Sequence, residues 1–333
     1  MDVTPDGTGA AEPRAASIAL DGIRKRYPDG TEAVRELSLD ISAGELVVLI
    51  GPSGCGKSTV LRMVNRLIEP TGGRILLGGE DVTRVDPVRL RRRIGYVIQN
   101  VGLFPHQTVS ANVATVPRLL GWPRQRSKGR VDELLELVGL DPATFGRRYP
   151  HELSGGQRQR VGVARALAAD PVVLLMDEPF SAVDPIVRTR LQEEFLRLQA
   201  EVRKTIVLVT HDLDEAVRLG DRIAVLSEGG RLEQYDTPAA VLGAPATPFV
   251  REFVGADRGI RRLAVTPVTG EAVEPLPETG VAGLPTMPLG GSAYDALGVL
   301  LTSAADRLVV TDGERPVGVL SRARLLELGT PVR

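Results

Sequence analysis

Gly44 to Val64 reads GELVVLIGPSGCGKSTVLRMV. A continuous apolar run ends at Gly51, four residues intervene, and Gly56-Lys57-Ser58 opens a stretch with helical spacing. The pattern G-x-x-x-x-G-K-[ST] between a strand and a helix is a phosphate cradle. Glycines let backbone N–H groups curl around phosphate oxygens, and the following helix adds the positive end of its dipole. Gly51, Ser53, Gly54, Cys55, Gly56, Lys57, Ser58 and Thr59 form the expected phosphate-contacting set. Within it Lys57 reaches the outer phosphates, and the Ser58 hydroxyl is placed to bind Mg²⁺.

Two further apolar runs, PVVLLMDEP (171–179) and KTIVLVTHD (204–212), read as buried strands, and each leads into a helical pattern. Leu191, Phe195 and Leu198 recur at the i, i+4, i+7 positions of the first of these helices. Strand–helix alternation predicts an α/β fold with a mainly parallel, doubly covered sheet. SIALDGIRKRY and RELSLDISAG alternate with a period of two and predict antiparallel strands ahead of it.

The strand ends carry the chemistry. Asp177 is expected beside the Mg²⁺, and Glu178, one residue on, is the candidate general base that polarises water. His211 leaves another core strand on the same sheet edge and is expected to contact the γ-phosphate. Gln99, in GYVIQN, is expected to contact the water or the Mg²⁺. His106 and His151 read as structural. Cys55 reads most simply as a small residue at a tolerant position; a reactive thiol at a helix start is the alternative.

A second polar glycine loop, LSGGQRQR (153–160), follows about a hundred residues later. Ser154 is a good N-cap, and Gly155 and Gly156 expose backbone N–H groups at the start of a helix, with Gln157 beside them. That helix end suits an anion held elsewhere.

The remaining features bound the protein. It has 333 residues, enough for about two domains, with 43% hydrophobic residues and a formal net charge of −1. That balance gives no field to recruit nucleic acid. The longest apolar runs fall well short of the ~20 residues that span a bilayer. Residues 1–16 are rich in Gly, Ala and Pro and read as a disordered leader, without the basic flank and apolar core of a secretory signal. One cysteine excludes an intrachain disulfide. The reading is a cytosolic protein with a nucleotide-binding domain over 17–255. A helical subdomain falls at about 102–170, a Pro/Gly-rich linker at 256–285 and a small α+β unit at 286–333.

With these pieces in order, residues 18–255 resemble the ATP-binding cassette (ABC) ATPases. The resemblance rests on GPSGCGKS, VIQN, LSGGQRQR, VVLLMDEP, SAVD and THD, with Val183 where the family usually has Leu. It implies ATP and Mg²⁺ as cofactors, with Ser58, Gln99 and Asp177 toward the metal and Glu178 and His211 as catalytic residues. It also implies Tyr27 stacking on adenine and Asp184 at the dimer contact. In this family two cassettes pair head to tail, so Ser154, Gly155, Gly156 and Gln157 would close over the partner's ATP in a homodimer. IGYVIQNVGLFPHQTVSANVATVPRLLGW, RALAADP and DEPFSAVDPIVRTRLQEE resemble the ATPases of osmoprotectant importers for glycine betaine, choline or carnitine. The implied partners are membrane permease subunits and, indirectly, an extracytoplasmic binding protein, with the chain peripheral on the cytoplasmic face of the membrane. Leu103, Phe104 and Pro105 would suit a groove receiving a permease helix. An importer for another small solute, or a soluble ABC protein outside transport, stays open as an alternative. The stretch 293–329 resembles a single cystathionine-β-synthase (CBS) module, read as helix, strand, turn, strand, helix. Its ribose-binding pattern G-x-x-[ST]-x-x-D has Gly318 and Ser321 but Arg324 in the Asp position.

Overall fold

The continuous apolar runs become strands buried on both faces. In the computed structural model, Leu46–Ile50, Val173–Asp177 and Thr205–Thr210 are buried at every position, as parallel strands covered by helices must be. The structure describes residues 15–99, 101–181, 183–277 and 283–330. It divides into two compact units, one of residues up to 46 plus 58–209, the other of 47–57 plus 210 onward.

In the first unit, Ile94–Val97 pairs in parallel with Val173–Asp177, which pairs in parallel with Thr205–Thr210, Asp177 lying opposite Val209. Ile18–Arg26 pairs antiparallel with both Glu32–Ile41 and Gly72–Leu77. Ile18, Leu20, Leu37, Leu39 and Ile41 are buried between exposed or half-buried neighbours, the alternation of a half-covered sheet. Between 102 and 170 the described residues hold helices and no strand. Three of these helices begin at a side-chain cap, supplied by Thr108, Asp141 and Ser154. The expectation of a disordered leader over 1–16 lies outside the described residues for 1–14. Ala16, its last residue, is buried, and its N–H donates to the Val172 carbonyl.

In the second unit residues 47–50 pair in parallel with strand Arg222–Ser227, which is also antiparallel to Arg231–Asp236. Further along, a three-stranded sheet runs in the order Thr286–Pro288, Arg307–Asp312, Arg315–Ser321. It carries the helices Ala293–Thr302 and Arg322–Gly329. Here the structure departs from the linker reading of 256–285. Arg258–Ala264 is a helix, and Leu263, Val268 and Ala272 are buried in the same core as Met287, Leu300 and Leu325. The Pro/Gly-rich composition conceals three apolar residues spaced four to five apart, a pattern that matches neither a helix nor a strand.

Candidate functional site

The phosphate loop lies in the second unit, where it leaves Ile50 and curls onto itself. Gly54 and Gly56 adopt left-handed backbone, with φ of 80° and 107°, which an L side chain disfavours. Gly51 faces a different constraint, because a Cβ there would sit 2.1 Å from the Leu226 carbonyl oxygen. The Lys57 ammonium is buried and donates to the carbonyls of Gly51 at 2.7 Å and Pro52 at 2.9 Å. Cys55 is buried, and its carbonyl accepts from Gly230 N–H at 2.8 Å. Ser53 and Gly54 are exposed at the crown of the loop. Helix Lys57–Val64 starts directly after it, with Ser58 and Thr59 in its first turn.

Asp177 and Glu178 lie in the first unit, as does Ser58. Ser58 Oγ donates to Asp177 Oδ1 at 2.8 Å across 119 residues of sequence, with Asp177 buried at the strand end. A hydroxyl and one carboxylate are hard oxygen donors of the kind Mg²⁺ prefers, and Mg²⁺ commonly takes only one or two protein ligands beside phosphate and water. Among the described residues no three His, Cys, Asp or Glu side chains come together as a metal cluster. Next along the chain, Glu178 accepts from Gln99 Nε2 at 2.9 Å. Gln99 thus orients the candidate base directly. Glu178 itself sits in left-handed backbone, with φ of 46°. Its N–H is taken by the Val209 carbonyl and its carbonyl by the Ser181 hydroxyl.

His211 is exposed and lies in the second unit, immediately after Thr210 and before Asp212. Asp212 caps helix Leu213–Leu219, accepting from the backbone N–H groups of Asp214 and Glu215. The Thr210 hydroxyl accepts from Asp212 N–H and donates to Glu215. The histidine therefore has hydrogen-bonded neighbours on both sides.

The second glycine loop forms a reciprocal capping box. Ser154 Oγ accepts from Gln157 N–H at 3.3 Å, and Gln157 Oε1 accepts from Ser154 N–H at 2.9 Å. Gly155 is exposed. Gly156 is buried, and a Cβ there would lie 3.3 Å from both Val187 and Leu191 of helix Pro185–Val202. Asp184 is exposed at the start of that helix, its carbonyl accepting from Arg188 N–H. Tyr27 is half-buried in a tight turn closed by its own N–H to the Thr31 carbonyl, with Lys25 Nζ 5.1 Å from its ring centroid.

Two supporting residues escaped the sequence reading. Arg165, on helix Gly155–Leu167, donates to the carbonyls of Val101 and Gly102, just past Gln99. Burial lowers its pKa, because the charged form loses hydration. On the same helix a Cβ at Gly162 would meet Val101 at 2.3 Å. The loop that carries Gln99 is thereby fastened to the helix that begins at Ser154. The second is Asn112, fully buried, whose amide bonds Phe104 N–H and the carbonyls of Phe104, Gln107 and Thr108. This holds the loop so that Phe104 stays 40% exposed, beside an open groove lined by Arg91, Arg92, Thr115, Val116 and Arg165. A helical pattern with one Arg or Asn gives no sign of such long-range roles.

In the C-terminal part the ribose-type pattern faces its own chain. A Cβ at Gly318 would lie 2.6 Å from the Glu274 carbonyl oxygen. Ser321 Oγ donates to Glu274 Oε1 at 2.8 Å. Arg324 donates to the carbonyls of Ala272 and Glu271. Residues 271–274 thus occupy all three positions.

The family profile described as ABC transporter matches residues 34–181. The chain is 48% identical over 310 residues to the osmoprotectant import ATP-binding protein OsmV of Salmonella typhimurium, covering 92% of this chain and 79% of that one. It is 54% identical over 244 residues to a glycine betaine/carnitine/choline transport ATP-binding protein of Bacillus subtilis, covering 73% of this chain. It spans 64% of that relative's length. Among solved structures, a bacterial ABC transporter cassette determined as a dimer is 34% identical, with a TM-score of 0.59 over 66% of this chain and 98% of that one. A cassette from Clostridium perfringens, part of an ABC transporter complex, is 29% identical with a TM-score of 0.64, over 69% and 91% of the two chains.

Proposed function

The chain belongs to the ABC transporter ATP-binding proteins, and on that premise we propose that it is the ATP-hydrolysing subunit of an importer for osmoprotectants such as glycine betaine, choline or carnitine. The observation that carries the hydrolytic part is the pairing of neighbouring acids with different partners: Asp177 with Ser58, and Glu178 with Gln99. The first pair would hold Mg²⁺, which when bound neutralises phosphate charge. In the second, Glu178 suits proton removal, and Gln99, which donates to it, remains placed for the water or Mg²⁺ contact.

In this reading the loop from Gly51 to Thr59 wraps the phosphates, with Lys57 moving from loop carbonyls to the outer phosphate oxygens. Gln99 holds the Glu178 carboxylate toward the attacking water, and Glu178 takes its proton as the oxygen attacks. His211 contacts the γ-phosphate, and Tyr27 stacks on adenine. Ser154, Gly155, Gly156 and Gln157 close over the ATP of a second copy, with Asp184 at that contact, so two chains complete two sites. Closure on ATP and reopening after hydrolysis shift the populations of two states, and the permease follows. The groove beside Phe104 combines an exposed aromatic ring with Arg91, Arg92 and Arg165, which suits a short cytoplasmic permease helix. No helix among the described residues is long and apolar enough to cross a membrane. The reading as an importer's ATP-hydrolysing subunit is what places the chain peripherally, on the cytoplasmic face beside the permease.

The solute class rests on the relatives' names. It is tested by uptake of labelled glycine betaine and choline in cells with and without the chain, and with Glu178→Gln. Uptake that depends on both supports the assignment. Unchanged uptake, with ATP hydrolysis intact in the purified chain, overturns the solute and leaves the cassette. For assembly, Glu178→Gln should dimerise on ATP, and adding Ser154→Arg should abolish this; ATP-independent dimers of both would refute the composite site.

A further inference from the structure

Helix Arg258–Ala264 belongs to two parts of the second unit at once. On one face Leu263 is buried in the C-terminal core with Met287, Leu300 and Leu325. Gly329, at the end of the last helix, packs so closely that a Cβ there would lie 3.1 Å from Leu263. On the other face Arg261 reaches into the cassette. Its Nε lies 2.7 Å from Asp214 Oδ1, its Nη2 3.1 Å from Asp257 Oδ2, and its Nη1 donates to the Val254 carbonyl at 3.3 Å. The neighbouring Arg262 guanidinium lies against helix Pro238–Gly243, where a Cβ on Gly243 would be 3.2 Å from its Cζ.

Asp214 is no arbitrary anchor. It sits in the first turn of helix Leu213–Leu219, and its N–H is one of the two bound by the cap Asp212, the residue after His211. A guanidinium shared by two carboxylates and a carbonyl, and itself only 27% exposed, holds its geometry better than a lone surface ion pair. A short path therefore runs from the C-terminal core through Leu263, Arg261 and Asp214 to the backbone that presents His211.

We propose that Arg261 is a positioning residue for ATP turnover: it fastens the C-terminal module to the first turn after His211, so the module's packing sets how that histidine is presented. The inference rests on the reading of His211 as a phosphate contact. Removing the guanidinium frees the helix start, and the cost falls on the step that uses His211 and not on nucleotide binding.

The test uses the full chain, with Arg261→Ala, Asp214→Ala, the double variant and the exchanged pair Arg261→Asp with Asp214→Arg. Two readouts are taken: ATPase kinetics, and hydrogen exchange at the amides of Asp214 and Glu215. Each single variant should lower kcat about threefold to tenfold with KM for ATP within about twofold, as expected for loss of one coupling contact. The double variant should be no worse than the worse single, and the exchanged pair should recover at least half the loss. Exchange at the two amides should quicken in the single variants while strand Arg222–Ser227 keeps its protection. Unchanged exchange refutes the clasp, whatever the ATPase does. Quickened exchange with unchanged kcat refutes the positioning role. Loss of ATP binding together with kcat, or loss of protection throughout the unit, makes Arg261 merely structural and also overturns the proposal. Should the unmutated chain hydrolyse no ATP, the reading of His211 fails by itself, and the exchange data still decide whether the clasp exists.

Discussion

Replacing Glu178 by Ala and, separately, by Gly should reverse the usual order of stability. Both variants lose the carboxylate and the hydrogen bond from Gln99, so that loss cancels between them. They differ only in a Cβ on backbone with φ of 46°. An L residue in left-handed backbone costs about 1–2 kcal/mol, whereas glycine elsewhere costs about 0.5–1 kcal/mol relative to alanine through its larger unfolded-state freedom. The difference leaves Glu178→Gly more stable than Glu178→Ala by about 0.5–1 kcal/mol. Urea midpoints at matched slopes, measured on nucleotide-free protein, resolve a gap of this size. Turnover should meanwhile fall in both variants alike, by about 10²–10⁴, the usual contribution of a general base. An alanine variant as stable as the glycine one would show that residue 178 is not held in a left-handed turn. A variant keeping more than about a tenth of wild-type turnover would show that the proton goes elsewhere. The two results together ask whether this strand end accepts backbone strain in order to aim a carboxylate, as strained residues at functional sites do.

Three further outcomes follow from particular contacts. Ser154→Ala should cost about 1 kcal/mol in urea unfolding through loss of the cap. Ser154→Asp should restore that stability and still weaken ATP-driven dimerisation, because the new carboxylate would face phosphate. Arg165→Met removes both donors to the Val101 and Gly102 carbonyls; the net loss should be about 1–2 kcal/mol, since the buried cation disappears with them, and proteolysis should quicken near residue 101. AMP titrated into the full chain should produce no binding to the C-terminal part tighter than about 1 mM, read by chemical shifts of Gly318 and Ser321. Tighter binding there would mean that residues 271–274 are readily displaced.

The sequence declared the cassette because its chemistry sits where the pattern changes. Strands buried on both faces read as unbroken apolar runs; Asp177 and His211 each fall where such a run ends, and Lys57 opens the helix that follows one. Motif order then joined Ser58 to Asp177 across 119 residues, a contact no local pattern encodes. What stayed hidden was long-range in a different way. Arg165 holding the carbonyls after Gln99, and Asn112 holding the turn at Phe104, are polar side chains on ordinary helices whose partners are set only by packing. The C-terminal boundary was misplaced for a related reason. Leu263, Val268 and Ala272 lie among prolines and glycines, so composition marked a linker where the chain was contributing core.

The single bridge between Glu274 and Val319 has a consequence for how this module can be cut or inherited. Strand Arg315–Ser321 ends its sheet, and an unguarded outer strand invites pairing with another molecule. Here the chain just upstream lies along that rim, and Glu274 and Val319 exchange both backbone hydrogen bonds. A fragment trimmed to begin at Thr286 would bare this rim and empty three core positions, and would be prone to clump. The portable piece begins at or before Arg258, inside what composition marks as spacer. A gene fusion joined at the apparent seam would transplant a sticky fragment and not a domain.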